Sequence, residues 1–290
     1  MADFLTLDLP APLLDGPFTR SMAEAVGVRR AGLERMLRHG VLRRMLRGVY
    51  VGAHLQDTVV LRGQALALLV GPDCVAVDRT AAWLHGLATI GAVPGTLDVV
   101  GRRHRVGPFA ARRSLSACDT ARVAGVWVTT PLRTACDLAR ILPPGRALAV
   151  LDEVLRHGAC THTELVCELP RQARLAGQRQ LRRLVAIADG RSANPAESAL
   201  RLYWLEAGLP TPVPGLEADR GAGPVRLALA APDQLFAVVL DEPGPGGAAL
   251  TAAGWQIVRL ARQRVLDGDP ALVGRHLVRE YHRQLLVRAG

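Results

Sequence analysis

The stretch Val225–Gly247, VRLALAAPDQLFAVVLDEPGPGG, holds two apolar runs joined by a short turn and closed by a Pro/Gly tract. Runs of this length, rich in Val and Leu and bounded by turn formers, read as strands covered on both faces. Before them lies ANPAESALRLYWLEAGLP, in which Asn194 is an N-cap, Pro195 takes the first helical position and Glu197 completes a capping box. Gly208 and Pro210 end that helix, and a strand over about Pro212–Glu217 leads into the hairpin. After the hairpin come a helix over about Gly247–Ala253, a strand over Trp255–Leu260 and a long final helix from Pro270. Residues 191–290 thus read as an α/β unit of their own.

The chain has 290 residues, which sets an expectation of two domains, or three. Apolar runs such as Ala65–Val70 fall far short of the roughly 20 residues that span a bilayer. The start, MADFLTLDLP, carries early acids and no basic flank, so no secretory signal and no membrane association are expected. A cytoplasmic protein is the default expectation.

All 36 basic residues are Arg, so no chemical step that needs a lysine can occur here. The formal charge of +10 favours an anionic partner. Five cysteines, an odd number without a CxxC pair, point to a reducing compartment. The tightest group of potential ligands is His157, Cys160, His162 and Cys167 in RHGACTHTELVC. A metal site is one reading of it. Gly158 as a helix stop and Thr161 with Glu164 as a capping box explain more of the pattern, so no metal or cofactor is expected.

The positive charge is concentrated near the N-terminus: Phe18–His54 holds eight Arg against Glu24 and Glu34. Thr19 caps a short helix through Ala25, Gly27 supplies a turn, and a second helix over about Arg29–His39 carries Leu33, Met36 and Leu37 on one face. Gly40 stops it, and two strand-like runs follow, Val41–Leu46 and Gly48–Val51. Helix, tight turn, basic helix and basic hairpin describe a winged helix-turn-helix. A solvated basic hairpin with no ligand is the plain alternative. The arginines fall on the second helix and the wing, the elements that would face a duplex, which favours DNA. The expected contacts are Arg29, Arg30, Arg35 and Arg38 in the major groove, with Arg43, Arg44 and Arg47 on phosphate or the minor groove.

The middle region mixes elements. Val59–Val70 reads as a buried helix, and DRTAAWLHGL as a short helix capped by Asp78 that buries Trp83 and Leu84. TLDVVGRRHR and VAGVWVTT alternate like strands, and Thr130 with Pro131 opens the next helix. Arg182 and Arg183 lie on a further helix, where a solvated face explains them better than a phosphate contact. The expected fold class is α+β / α/β multidomain: a winged helix-turn-helix over 1–56, a mixed α/β middle region over 57–190 and an α/β unit over 191–290.

Two resemblances follow. The basic hairpin ending RGVYV, the RTAAWLHGL helix and the VTTPLRTACDLA segment resemble the AbiEi-type antitoxin and regulator family over roughly Phe18–Arg156. The last hundred residues resemble the restriction-endonuclease-like PD-(D/E)xK class, similar to very-short-patch repair nucleases. That second resemblance implies a helix glutamate, an aspartate on the second strand and an acid on the third, together holding Mg²⁺. Glu197 fills the helix position, but Ala228 stands where the aspartate belongs and Val239 where the glutamate belongs, while Asp241 remains. The class's histidine after that strand is replaced by the Pro/Gly tract. Glu197 and Asp241 are then vestigial, unless Asp233 or Glu242 substitutes.

These readings imply a DNA-binding transcriptional regulator, an AbiEi-like antitoxin and autorepressor with a pseudo-nuclease end. The alternatives are a metal-dependent endonuclease guided by the winged helix, and a structural protein whose charge serves only solubility. Expected partners are double-stranded DNA and, on the resemblance, a cognate toxin; the sequence leaves the oligomeric state open, a homodimer included.

Overall fold

In the computed structural model, which describes residues 9–91, 96–101, 105–106, 115–219, 223–240 and 245–289, the Thr19 hydroxyl accepts from the Met22 amide and opens α1 (Arg20–Ala25). Gly27, at φ +86°, makes the left-handed turn into α2 (Arg30–Arg38), whose N-cap position is held by Arg29. Leu33 and Met36 bury one side of α2 against Phe18, Ala23 and Leu42. Strands β2 (Leu42–Leu46) and β3 (Val49–Gly52) pair antiparallel, and β1 (Phe18–Thr19) adds to the other edge of β3. Met45, Val49 and Val51 turn toward a second core containing Leu66, Trp83 and Val128.

That second core lies under a five-stranded sheet. Its strands are β4 (Val75–Ala76), β5 (Val99–Val100), β6 (Arg105–Val106), β7 (Thr120–Val123) and β8 (Val126–Thr129), in the order β6-β5-β4-β8-β7. Helices α3 (Val59–Ala67) and α4 (Asp78–Leu84) contribute to the core. Three expectations need correction. α3 is half-buried rather than buried: Leu61, Gly63, Ala65 and Leu66 face inward while Val59 and Val60 are exposed. Asp78 is not the cap of α4; Val77 takes that position, and Asp78 is the first helical residue at φ +49°. VAGVWVTT is not one strand, because Ala124 (φ +49°) and Gly125 (φ +85°) form the tip of the β7–β8 hairpin. That tip sits on α3, where a Cβ added to Gly63 would lie 2.4 Å from the Ala124 Cβ and 2.7 Å from its carbonyl oxygen.

The chain divides into two units, Met1–Thr134 and Ala135–Gly290, so the boundaries expected after 56 and after 190 each fall within a unit. Helix α5 (Pro131–Ile141), opened by the Thr130 hydroxyl accepting from the Arg133 amide, begins in the first and continues in the second. In the second unit, α6 (Pro144–Arg156) leads through Gly158 at φ +64° to α7 (His162–Glu168). Thr161 and Glu164 make both hydrogen bonds of a capping box there, and a His162 ring nitrogen, Nε2, lies 2.9 Å from the Val185 carbonyl oxygen at the end of α8 (Gln178–Val185). Arg182 and Arg183 are both exposed, and Arg183 pairs with Glu206 at 3.0 Å. Among the described residues, no group of three or more His, Cys, Asp or Glu is placed to hold a metal ion.

Helix α9 (Pro195–Glu206) precedes a four-stranded sheet of β9 (Val213–Ala218), β10 (Val225–Ala231), β11 (Phe236–Leu240) and β12 (Gln256–Leu260), in the order β12-β11-β10-β9. β9, β10 and β11 are antiparallel; α10 (Pro245–Ala252) crosses over so that β12 runs parallel to β11. After α11 (Arg262–Asp267), the long α12 (Pro270–Ala289) brings Tyr281 against Phe236, which also meets Trp204 of α9, each pair with ring centroids 5.4 Å apart. No helix among the described residues is long and apolar enough to cross a membrane.

The loop between α8 and α9 is tied down by charge. Arg201 donates to Asp152 Oδ2 at 2.5 Å, to Ser192 Oγ and to the Ile187 carbonyl, while Asp152 Oδ1 accepts from the Asp189 amide. Asp152 is fully buried and Arg201 nearly so. Burial pushes the Asp152 carboxyl above the usual aspartate range even with Arg201 beside it, so desolvation outweighs what the partner returns. Removing one partner strands the other: Arg201→Ala is expected to cost about 3–5 kcal/mol in chemical denaturation, and the paired change Asp152→Leu with Arg201→Met to recover most of it. Gly63→Val, which forces a side chain into the β7–β8 tip, is expected to cost about 1–3 kcal/mol in the same measurement.

Candidate nucleic-acid interface

The burial of Leu33 and Met36 settles which side of α2 is wet. Arg29, Arg30, Arg35 and Arg38 are all exposed. They are not equivalent, because Arg30 Nε donates to Glu34 Oε1 at 2.8 Å, a pair at i and i+4. On α1 the same spacing joins Arg20 to Glu24 at 2.6 Å. Arg29, Arg35 and Arg38 have no ion pair among the described residues, although Arg38 lies near enough to Glu34 to help hold its carboxyl charged.

The hairpin sorts its arginines by register. Arg43 is opposite Val51 and Arg44 opposite Tyr50, and the pairing shifts between Arg44 and Leu46. Successive strand residues point to opposite faces, so Arg43 and Arg44 cannot act together. Arg44 and Arg47 are exposed, Arg47 beside Gly48 at φ +85° in the turn. Arg43 is half-buried, and its Nη2 donates to the Leu55 carbonyl at 3.1 Å, which fixes the chain after β3. Five of the seven expected arginines are therefore exposed and unpaired among the described residues; Arg30 and Arg43 are already engaged.

In the second unit, Glu197 is buried at the start of α9, and four donors meet its two oxygens. Arg226 forks onto both, Nη1 to Oε1 at 2.6 Å and Nη2 to Oε2 at 2.9 Å. The Ala193 amide and Asn194 Nδ2 supply the others at 2.8 and 3.0 Å. Asn194 Oδ1 in turn accepts from the Ala196 and Glu197 amides, so the capping box is closed on the amide of Ala193 rather than that of Asn194. Gly215, at φ +63°, makes room for the fork: a Cβ there would stand 2.9 Å from Arg226 Nη2 and 3.1 Å from the Arg191 carbonyl oxygen. The hydrogen bond to Glu197 is the main reason the Arg226 guanidinium holds its proton still more firmly than usual.

Ala228 and Val239 are both buried, and they stand one step beyond the cross-strand pair Leu229 and Val238. Asp233 lies in the turn after β10, seven residues beyond Arg226, and among the described residues it forms no group of three or more potential metal ligands with Glu197. Asp241 and Glu242 lie outside the described residues. Arg226 escaped the sequence reading although a signal was present, because it is two positions before Ala228 and so on the same face of the strand.

Comparison with known proteins gives two findings. Residues 74–187 match the family described as the AbiEi antitoxin C-terminal domain. An uncharacterized protein of Mycobacterium tuberculosis strain CDC 1551 / Oshkosh is 35% identical over 185 residues, covering 63% of this chain and 67% of the relative. The corresponding protein of strain H37Rv matches to the same extent. The chain belongs to one family with these mycobacterial proteins, and its middle carries the match to the AbiEi antitoxin domain.

Proposed function

We propose that this chain is a DNA-binding transcriptional regulator, an AbiEi-like antitoxin that represses its own operon. Residues 1–56 act as a winged helix-turn-helix, 57–190 as the antitoxin region, and 191–290 as a nuclease-like shell that does not cut. The observation that carries this reading is the set of exposed, unpaired arginines at positions 29, 35, 38, 44 and 47, all on one helix and the hairpin after it. A helix in the major groove and a hairpin over the backbone need such a set, since phosphate contacts supply most of the affinity. The antitoxin match supports a role in a toxin–antitoxin pair, with a cognate toxin and a second copy of the chain as further proposed partners.

A second reading, an active endonuclease, is favoured by one observation: a helix, three antiparallel strands, a crossover helix and a parallel strand follow one another as that class requires. Against it stands Arg226. A divalent cation on Glu197 would need the carboxylate that the guanidinium holds by both oxygens, with no second carboxylate at Ala228 or Val239 to compensate. The proposed reading therefore treats Glu197 as part of the fold.

Gel shift against the protein's own upstream region tests the first reading. Five phosphate contacts should lower affinity by two to three powers of ten, roughly, between 50 and 200 mM salt. Arg44→Ala with Arg47→Ala is expected to reduce the slope of log affinity against log salt by about 2. An unchanged slope would remove the wing from the interface.

Incubation with supercoiled, mismatched and single-stranded DNA in Mg²⁺ or Mn²⁺ tests the second. No cleavage is expected from wild type. Cleavage that disappears in Glu197→Ala would restore the nuclease reading.

A further inference from the structure

Helix α2 carries a single acid, Glu34, among its arginines. Its side chain is 56% exposed, on the side away from the buried Leu33 and Met36. One oxygen, Oε1, accepts from Arg30 Nε at 2.8 Å; the other, Oε2, has no protein partner among the described residues. Arg30 foremost, with Arg38 and Arg20 near enough to add to it, holds the carboxyl below the usual glutamate range. The group is therefore an anion at neutral pH.

An anion in the middle of a basic surface weakens attraction to phosphate, and an exposed ion pair of this kind does little for helix stability. The arrangement gains something only if the free oxygen meets a donor. In the major groove the base edges offer donors at the cytosine and adenine amines, and the cytosine amine is the one that carboxylates accept from. Guanine and thymine would set a carbonyl oxygen against the carboxylate. Arg30 already occupies one of the two oxygens, so the other is the one left to meet a base. We propose that Glu34 is the specificity-determining residue of α2 and that it selects duplexes presenting a cytosine at the position it faces.

This inference rests on the reading of α2 as a recognition helix, and the test separates the two. A randomised duplex pool is selected with full-length wild type, Glu34→Ala and Glu34→Gln, and the bound fractions are sequenced; each protein is also titrated with unselected duplex. Wild type is expected to enrich cytosine at one position by roughly tenfold. Glu34→Ala is expected to lose that preference alone while binding unselected duplex at least as tightly. Glu34→Gln, which keeps the side chain's shape, is expected to move the preference to adenine, as an amide reads that base. A purely structural role for the Arg30–Glu34 pair would not produce that switch. If the variants enrich the same cytosine as wild type, or if wild type selects a site without it, the role of Glu34 is overturned and DNA binding stands. If wild type binds no duplex, both fall together.

Discussion

Glu197 is a carboxylate nearly closed to water, and the chemistry open to the second unit turns on what neutralises it. A buried anion must be paired, and the pair must also satisfy its lone pairs. Here the chain supplies the partner itself: Arg226 reaches across from β10 through the space left by Gly215, and the backbone before α9 adds two more donors. The same contacts cap the helix, fix the loop from Arg191 to Asn194 and join α9 to the sheet. A metal ion would have to displace the Arg226 guanidinium and find new oxygen ligands where the strands offer Ala228 and Val239. With those positions apolar and buried, the sheet keeps its packing without holding like charges together.

The same accounting of partners runs through the rest of the molecule. With no lysine available, every basic task falls to arginine, and the structure divides the arginines by what they face. Arg201, buried, and Arg226, partly exposed, are the counter-ions of the buried Asp152 and Glu197. Arg62 pairs with Asp57, lies over Trp83 and donates to its carbonyl, which joins the start of α3 to α4. Arg29, Arg35, Arg38, Arg44 and Arg47 are exposed and have no ion pair among the described residues. Net charge alone does not separate these groups, whereas the assignment of partners does; exposed arginines without an ion pair among the described residues also occur elsewhere, as at Arg174, Arg179 and Arg182, and what sets the last group apart is its place on one helix and the hairpin after it.

Much of this was legible in the sequence where local chemistry decides. Thr19, Thr161 and Asn194 cap helices as their neighbours imply, and Gly27, Gly40, Gly158 and Gly208 take positive φ at helix ends. The strands of the second sheet were visible as apolar runs bounded by turn residues. What escaped is what depends on distant residues. Ala124 adopts a left-handed conformation and packs on Gly63, which no local pattern marks as a turn. Asp78 is a natural cap by composition, yet Val77 takes that place. At the sites, exposure of the α2 arginines followed from helical periodicity. That Arg43 would turn to the Leu55 carbonyl, and Arg226 to Glu197, did not, since both bonds join residues from different elements.

The central claim is that DNA is met by α2 and the β2–β3 hairpin, and that Glu197 and Arg226 take no part. Backbone hydrogen exchange, measured on the full chain with and without a duplex from its own upstream region and with Mg²⁺ present throughout, tests it most directly. The account predicts added protection concentrated in residues 29–47, with exchange at the start of α9 and along β10 unchanged. Protection centred on residues 193–197 and 225–231, or none anywhere, would contradict it.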